Sequence, residues 1–207
     1  MASGCSRSAA QSLRNLTLSS KTPLDASLRR LKMDKQRRRL TLRTHAQLPF
    51  IGLAKHPLPK LLLDTTVYID SLQDRLPSVV EAALRSGSIW HATVTEAELA
   101  ALGGLLDPTR PETGKDIAQV MASLEQRPPH RILNPDRDVW REAGVLAGLV
   151  ARLQGYGKEA HRRVLNDTLI FLTAAKHGCC VLTRNLSDFD LLLQLEPRGR
   201  VLFYDRA

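Results

Sequence analysis

The sequence predicts an α/β protein built in three layers, with a short parallel sheet between helices on either face. Short apolar runs recur at residues 61–64, 89–94, 179–182 and 200–204. Runs of that length, bounded by polar or glycine-containing turns, fit strands buried on both faces. The stretches between them are long enough for helices, and alternating strands and helices make a parallel sheet covered on both sides. At 207 residues and 43% hydrophobic, the chain has enough apolar side chains for one core of this kind.

Residues 61–64 form the first strand. Residues 67–85 read as a helix, broken or restarted at Pro77 because proline fixes φ and lacks an N–H, and closed by Gly87. Residues 89–94 are the second strand. Thr95 then reads as an N-cap with Glu98 three residues later, the spacing of a capping box, and the helix runs to about residue 102. A loop follows from Gly103 to Pro111. A helix at 113–126 stops at Pro128-Pro129, and residues 131–133 make a short strand. Residues 136–154 are a long helix ended by Gly155, and its small residues Ala143, Gly144, Ala147 and Gly148 are expected to pack closely on a neighbouring helix. Residues 158–177 continue as one helix or two, followed by a strand at 179–182, a helix at 188–195 and a last strand at 200–204. The chain has no internal repeat.

Charge divides the chain. Of the net +9, residues 1–60 hold 13 Lys/Arg against Asp25 and Asp34, giving +11, and the remainder holds 17 against 19 acids, giving −2. Residues 1–58 are rich in Ser, Thr and Arg and lack apolar periodicity before Leu48, which predicts a basic, disordered extension. Residues 59–207 are then the folded domain. The extension could contact nucleic acid, since clustered Lys and Arg displace phosphate counterions. It also has the composition of a transit peptide, and Met33 could lie nearer the true start. No run of about 18 apolar residues occurs, so no membrane span is expected. Three cysteines, two of them adjacent at Cys179 and Cys180, make no disulfide framework and read as reduced thiols of a cytoplasmic protein. No Cys/His cluster has zinc spacing.

The chemistry lies in four acids: Asp64 after Leu61-Leu62-Leu63, Glu98 in Thr95-Glu96-Ala97-Glu98-Leu99, Asp167 in Asn166-Asp167-Thr168-Leu169-Ile170, and Asp188 in Leu182-Thr183-Arg184-Asn185-Leu186-Ser187-Asp188-Phe189. A carboxylate beside apolar neighbours is costly unless it is paired or holds a cation. Ligands of open α/β sheets bind beyond the carboxyl ends of the strands, where Asp64, Glu98 and Asp188 fall and where a helix could bring Asp167. Carboxylates gathered there would repel unless a divalent cation neutralised them, and Mg²⁺ or Mn²⁺ takes oxygen ligands of this type. Each acid also has an ordinary reading. Asp64 could be a turn residue, Glu98 half of a capping box, and Asp167 and Asp188 helix caps. An Asp two residues after Asp64, as a haloacid-dehalogenase-type phosphatase needs, is absent because Thr66 stands there, and no Gly-x-Gly-x-x-Gly follows the first strand.

In these contexts the chain resembles the PIN-domain ribonucleases, and among them the VapC-type toxins of toxin–antitoxin pairs. The likeness runs from about Lys60 to Tyr204, through Asp64-Thr65-Thr66-Val67, Thr95-Glu96-Ala97-Glu98-Leu99, Asp167-Thr168-Leu169-Ile170 and Leu182-Thr183-Arg184-Asn185-Leu186-Ser187-Asp188-Phe189. Thr66 stands where the family more often has Asn. The resemblance implies a PIN-like fold and Mg²⁺- or Mn²⁺-dependent hydrolysis of RNA phosphodiesters, with Asp64, Glu98, Asp167 and Asp188 holding the metal. Thr65, Thr183 and Asn185 would orient those carboxylates, and Arg184 would meet the RNA. It favours Glu98 over Glu96 and Asp188 over Asp190. His161-Arg162-Arg163 reads as an exposed helix face. The family also implies a cognate antitoxin and a homodimer. A housekeeping RNA-processing nuclease and a non-catalytic binding module of the same fold are the alternatives.

Overall fold

The computed structural model describes residues 23–107 and 109–206. Its five strands are all parallel: β1 (Leu61–Leu63), β2 (Ile89–Ala92), β3 (Ile132–Leu133), β4 (Cys180–Thr183) and β5 (Val201–Phe203). They stand in the order β3-β2-β1-β4-β5. The helices among the described residues are α1 (Pro23–Arg30), α2 (Thr65–Leu72), α3 (Ser78–Ser86), α4 (Thr93–Leu105), α5 (Pro111–Glu125), α6 (Arg137–Gln154), α7 (Lys158–Lys176) and α8 (Leu186–Leu195). The predicted α/β/α layering is present. Because side chains alternate along a strand, Leu62 packs with Leu146, Ile170, Phe171 and Phe189 of α6, α7 and α8. Leu61 and Leu63 pack on the other face with Val67, Val80 and Ala83 of α2 and α3. No helix among the described residues is long and apolar enough to cross a membrane.

Several boundaries differ from the sequence expectation, each for a local reason. The break expected at Pro77 is present, with Pro77 as the N-cap of α3, but the first helix starts at Thr65 and ends at Leu72. β2 ends at Ala92 and α4 begins at Thr93, so Thr95 lies inside the helix and caps nothing. Its fully buried hydroxyl instead donates to the Leu63 carbonyl at 3.4 Å. That removes the capping-box reading of Glu98. In α6, Ala143 and Ala147 are fully buried as expected, but Gly144 is exposed and a Cβ added at Gly144 or Gly148 would meet nothing. The close-packing face is thus carried by the alanines alone. Gly155 ends α6 in the left-handed region at φ 70°, where glycine pays no Cβ penalty.

The largest difference is the N-terminal boundary. Residues 1–22 of the expected extension lie outside the described residues, but residues 23–58 are part of the fold. α1 packs on α6, and Leu31, Leu48 and Ile51 are buried at 2%, 6% and 4% exposure. Phe50 forms a parallel bridge with Phe203, and the Phe203 amide donates to the Pro49 carbonyl at 2.8 Å, which partners the outer edge of β5. Arg30 Nε donates to the buried Glu196 at 2.7 Å and also pairs with Glu142. Arg43 grips Asp190 through its amide at 2.8 Å and its Nε at 2.5 Å. Part of the basic excess is therefore neutralised by acids far away in the sequence.

Candidate functional site

β1 and β4 are neighbours, but the chain has moved outward through β2 and β3 before returning to β4. Their carboxyl ends thus open the crevice at the topological switch point, where α/β sheets place ligands. The Asp64 amide donates to the Leu182 carbonyl at 3.1 Å, which locks the start of α2 to β4. Asp64 is 2% exposed. One of its carboxylate oxygens, Oδ2, accepts from Thr66 Oγ1 and from Thr183 Oγ1, both at 2.7 Å. Thr66, standing where the related pattern more often has Asn, therefore supplies a supporting hydrogen bond. It also accepts from the Arg184 amide at 3.1 Å.

Glu98 lies on α4 and is held by Thr65 Oγ1 on one oxygen and by Asn166 Nδ2 at 2.8 Å on the other. Asp167 lies within α7 rather than at its start, so it caps no helix. Asp188 is in the first turn of α8, whose N-cap is Asn185, with Asn185 Oδ1 accepting from the Asp188 amide at 3.3 Å. The Asn185 Nδ2 donates to Asp167 and Asp188, each at 3.1 Å, and so bridges the two carboxylates. Glu96 points elsewhere, to Arg127 Nη1 at 3.4 Å, and Asp190 is taken by Arg43. The four predicted acids lie within electrostatic reach of one another around Asp167, and the three residues expected to orient them each donate to one or more.

Burial and mutual repulsion strain the cluster. Asp167 is pushed well above the ordinary carboxylate range, first by burial and then by the charges of Asp64, Asp188 and Glu98. Burial raises Asp64 against the hydrogen bonds from Thr183 and Thr66. Burial likewise raises Glu98, helped by the charge of Asp64 and opposed by Thr65 and Asn166. Carboxylates perturbed together in a crevice are common to functional sites and to buried structural ion networks. Among the described residues, no three His, Cys, Asp or Glu side chains are drawn together closely enough to hold a metal ion. The charges interact, and Asp167 and Asp188 are close enough to share the Asn185 amide and to hydrogen-bond each other.

One important acid escaped the sequence reading. Asp70, one turn along α2 from Thr66 and on the same helix face, is fully buried and accepts from Arg184 Nε at 2.7 Å, Tyr204 Oη at 2.9 Å and Arg206 Nε at 3.0 Å. It anchors Arg184, whose side chain remains 30% exposed, at the rim of the acidic cluster. The only sequence signal for it was its place in Tyr68-Ile69-Asp70, one turn along the helix from Thr66. Asn166 was likewise seen only as the neighbour of Asp167.

No family model matches the chain, and no curated protein matches it by sequence. Solved structures do resemble it. The VapBC2 complex of Rickettsia felis bound to a promoter DNA fragment aligns at 15% identity and TM-score 0.47, covering 70% of this chain and 98% of that one. DNA-bound VapBC from Salmonella typhimurium aligns at 21% identity and TM-score 0.48, covering 70% and 98%. FitAcB from Neisseria gonorrhoeae aligns at 25% identity and TM-score 0.47, covering 70% and 96%.

Proposed function

We propose that this protein is a PIN-type, Mg²⁺- or Mn²⁺-dependent ribonuclease and the toxin of a toxin–antitoxin pair. The observation that carries the nuclease reading is the convergence of Asp64, Glu98, Asp167 and Asp188 at the β1/β4 crevice, with Asp167 raised by the other three. The donor set is all oxygen and carries up to four negative charges, which fits a hard divalent cation. The toxin role, the antitoxin partner and a homodimer rest on the sequence resemblance.

In this reading Asp64, Asp167, Asp188 and Glu98 hold the ion, directly or through water. A divalent ion bound there would supply an activated water and charge stabilisation for phosphodiester hydrolysis. Thr183 and Thr66 fix Asp64, Thr65 and Asn166 fix Glu98, and Asn185 sets the spacing of Asp167 and Asp188. Such donors set carboxylate orientation around a metal. Arg184, steadied by Asp70, offers its guanidinium to a phosphate beside the scissile one. Cleavage activity separates this reading from a non-catalytic module of the same fold.

The deciding experiment is cleavage of labelled single-stranded RNA by the full chain with Mg²⁺, with Mn²⁺ and with EDTA. Metal-dependent cleavage lost in Asp64→Asn supports the proposal. Cleavage that survives EDTA or Asp64→Asn overturns it, and RNA binding with no cleavage under any metal favours the binding module. For the toxin role, induction of the protein alone should arrest bacterial growth and Asp64→Ala should relieve the arrest at equal expression. Unimpeded growth with abundant active enzyme favours the housekeeping nuclease.

A further inference from the structure

A cavity of about 310 Å³ opens beside the acidic cluster, beyond the carboxyl ends of β2 and β3. Thr93, Asn134, Pro135, Trp140, Asn166 and Leu169 line it, and none of its lining residues carries a formal charge. It is joined to the acidic cluster by one side chain. Asn166 donates Nδ2 to Glu98 at 2.8 Å, leaving Oδ1 of the same amide as an acceptor. Trp140, in the first turn of α6, is 49% exposed. The chain's other tryptophan, Trp90, has Lys60 and Arg131 over its ring, each 5.3 Å from the centroid. Solvating half an indole without need is unfavourable, because aromatic rings carry large apolar area.

We infer that this cavity is a nucleobase subsite, in which one base of a single-stranded RNA stacks on Trp140 and meets the amides of Asn134 and Asn166 at its edge. The inference rests on the ribonuclease reading of the neighbouring acids. A phosphate would find no cation among the lining residues, and a purely apolar group would leave two amides unpaired. A base is planar, uncharged and edged with donors and acceptors, and unpaired bases are recognised by aromatic stacking together with hydrogen bonds to their edges. Because Asn166 also holds Glu98, a base seated here would fix the distance from its own phosphate to the acids. The subsite would thereby choose which bond is cut.

The test uses the full chain carrying Asp64→Asn, so that RNA is bound and not consumed, with fluorescein-labelled single-stranded oligoribonucleotides read by anisotropy. Trp140→Ala should weaken binding about 10-fold, within the range for one lost base–aromatic stack, and Trp140→Phe should restore most of it. Placing one abasic nucleotide at the seated position should abolish the difference between the parent and the Trp140→Ala chain. With Trp90→Phe present, RNA should quench the remaining indole fluorescence. Equal affinity of the Trp140→Ala and parent chains, with no quenching, would overturn the subsite while leaving the nuclease proposal standing. A lower molar mass for Trp140→Ala by light scattering at unchanged RNA affinity would overturn it in favour of contact with a second copy of this chain. If the parent neither binds nor cuts RNA, both proposals fall together.

Discussion

Asp64 and Asp70 flank the first turns of α2, and both are almost out of solvent, at 2% and 0% exposure. Asp70 has two arginines and a tyrosine as donors. Burial opposes its charge, but Arg184, Tyr204 and Arg206 outweigh that and hold it below the usual carboxylate range. Asp64 has only hydroxyls for side-chain partners and faces Asp167, so burial leaves it raised. The same helix thus separates a carboxylate that stabilises the fold from one that burdens it. A fold keeps a burden of that kind when the site uses it.

The contrast breaks most sharply under substitution. Asp167→Asn should lower metal-dependent RNA cleavage by at least about 10³-fold, or roughly 4 kcal/mol of barrier at 1.36 kcal/mol per tenfold. The same change should raise the melting temperature at pH 7 in chelator, because it removes a charge repelled by three neighbours. A variant less stable than the parent would make Asp167 a structural acid like Asp70.

Asp70→Asn should do the opposite. Breaking its buried pairs should cost roughly 3 kcal/mol, the low end for such a loss, since Arg184 and Arg206 stay partly solvated. For a chain of this size that lowers the melting temperature by about 6–12 °C. The residual cleavage at permissive temperature should show a raised KM, from the freed Arg184, more than a reduced kcat.

Titration sharpens the comparison further. Asp70 is lowered in the folded state, so the stability it contributes is present above its unfolded value, near 3.8, and is lost as pH falls through its folded value. Asp167 is raised, so its penalty is absent below 3.8 and complete only above its folded value. The stability gap between Asp167→Asn and the parent should therefore close as pH falls from 7 toward 4, while the gap for Asp70→Asn stays open until more acid pH. Thermal melts across that range in chelator read both. The smallest effect belongs to Glu96→Gln, whose carboxylate turns to Arg127 at 3.4 Å and away from the acidic cluster, and which should leave cleavage within about twofold.

How much of this was legible in the sequence followed from whether the signal was local. The Leu61-Leu62-Leu63-Asp64 run and the Thr183 to Phe189 stretch carry strand, turn and acid within a few residues, and both sit where they were expected. Thr95 misled because a Thr three residues before a Glu satisfies the capping pattern wherever the helix begins, and here the helix begins earlier. Residues 23–58 looked disordered because the acids that neutralise Arg30 and Arg43, namely Glu142, Glu196 and Asp190, lie more than a hundred residues away. The role of Asp70 could not be read for the same reason, since its partners Arg184, Tyr204 and Arg206 come from the far end of the chain. Gly144 and Gly148 were misassigned because a small residue fits a close contact but does not require one.

The most direct test of the central claim, that the raised carboxylates of the β1/β4 crevice are a cation site, is a melting series against Mn²⁺ for the parent chain and for Asp64→Asn combined with Asp167→Asn. The parent should start less stable than the variant in chelator and gain stability with Mn²⁺ by mass action on the native state, while the variant stays flat. Equal Mn²⁺ responses in the two chains, or none in the parent at millimolar metal, would contradict it.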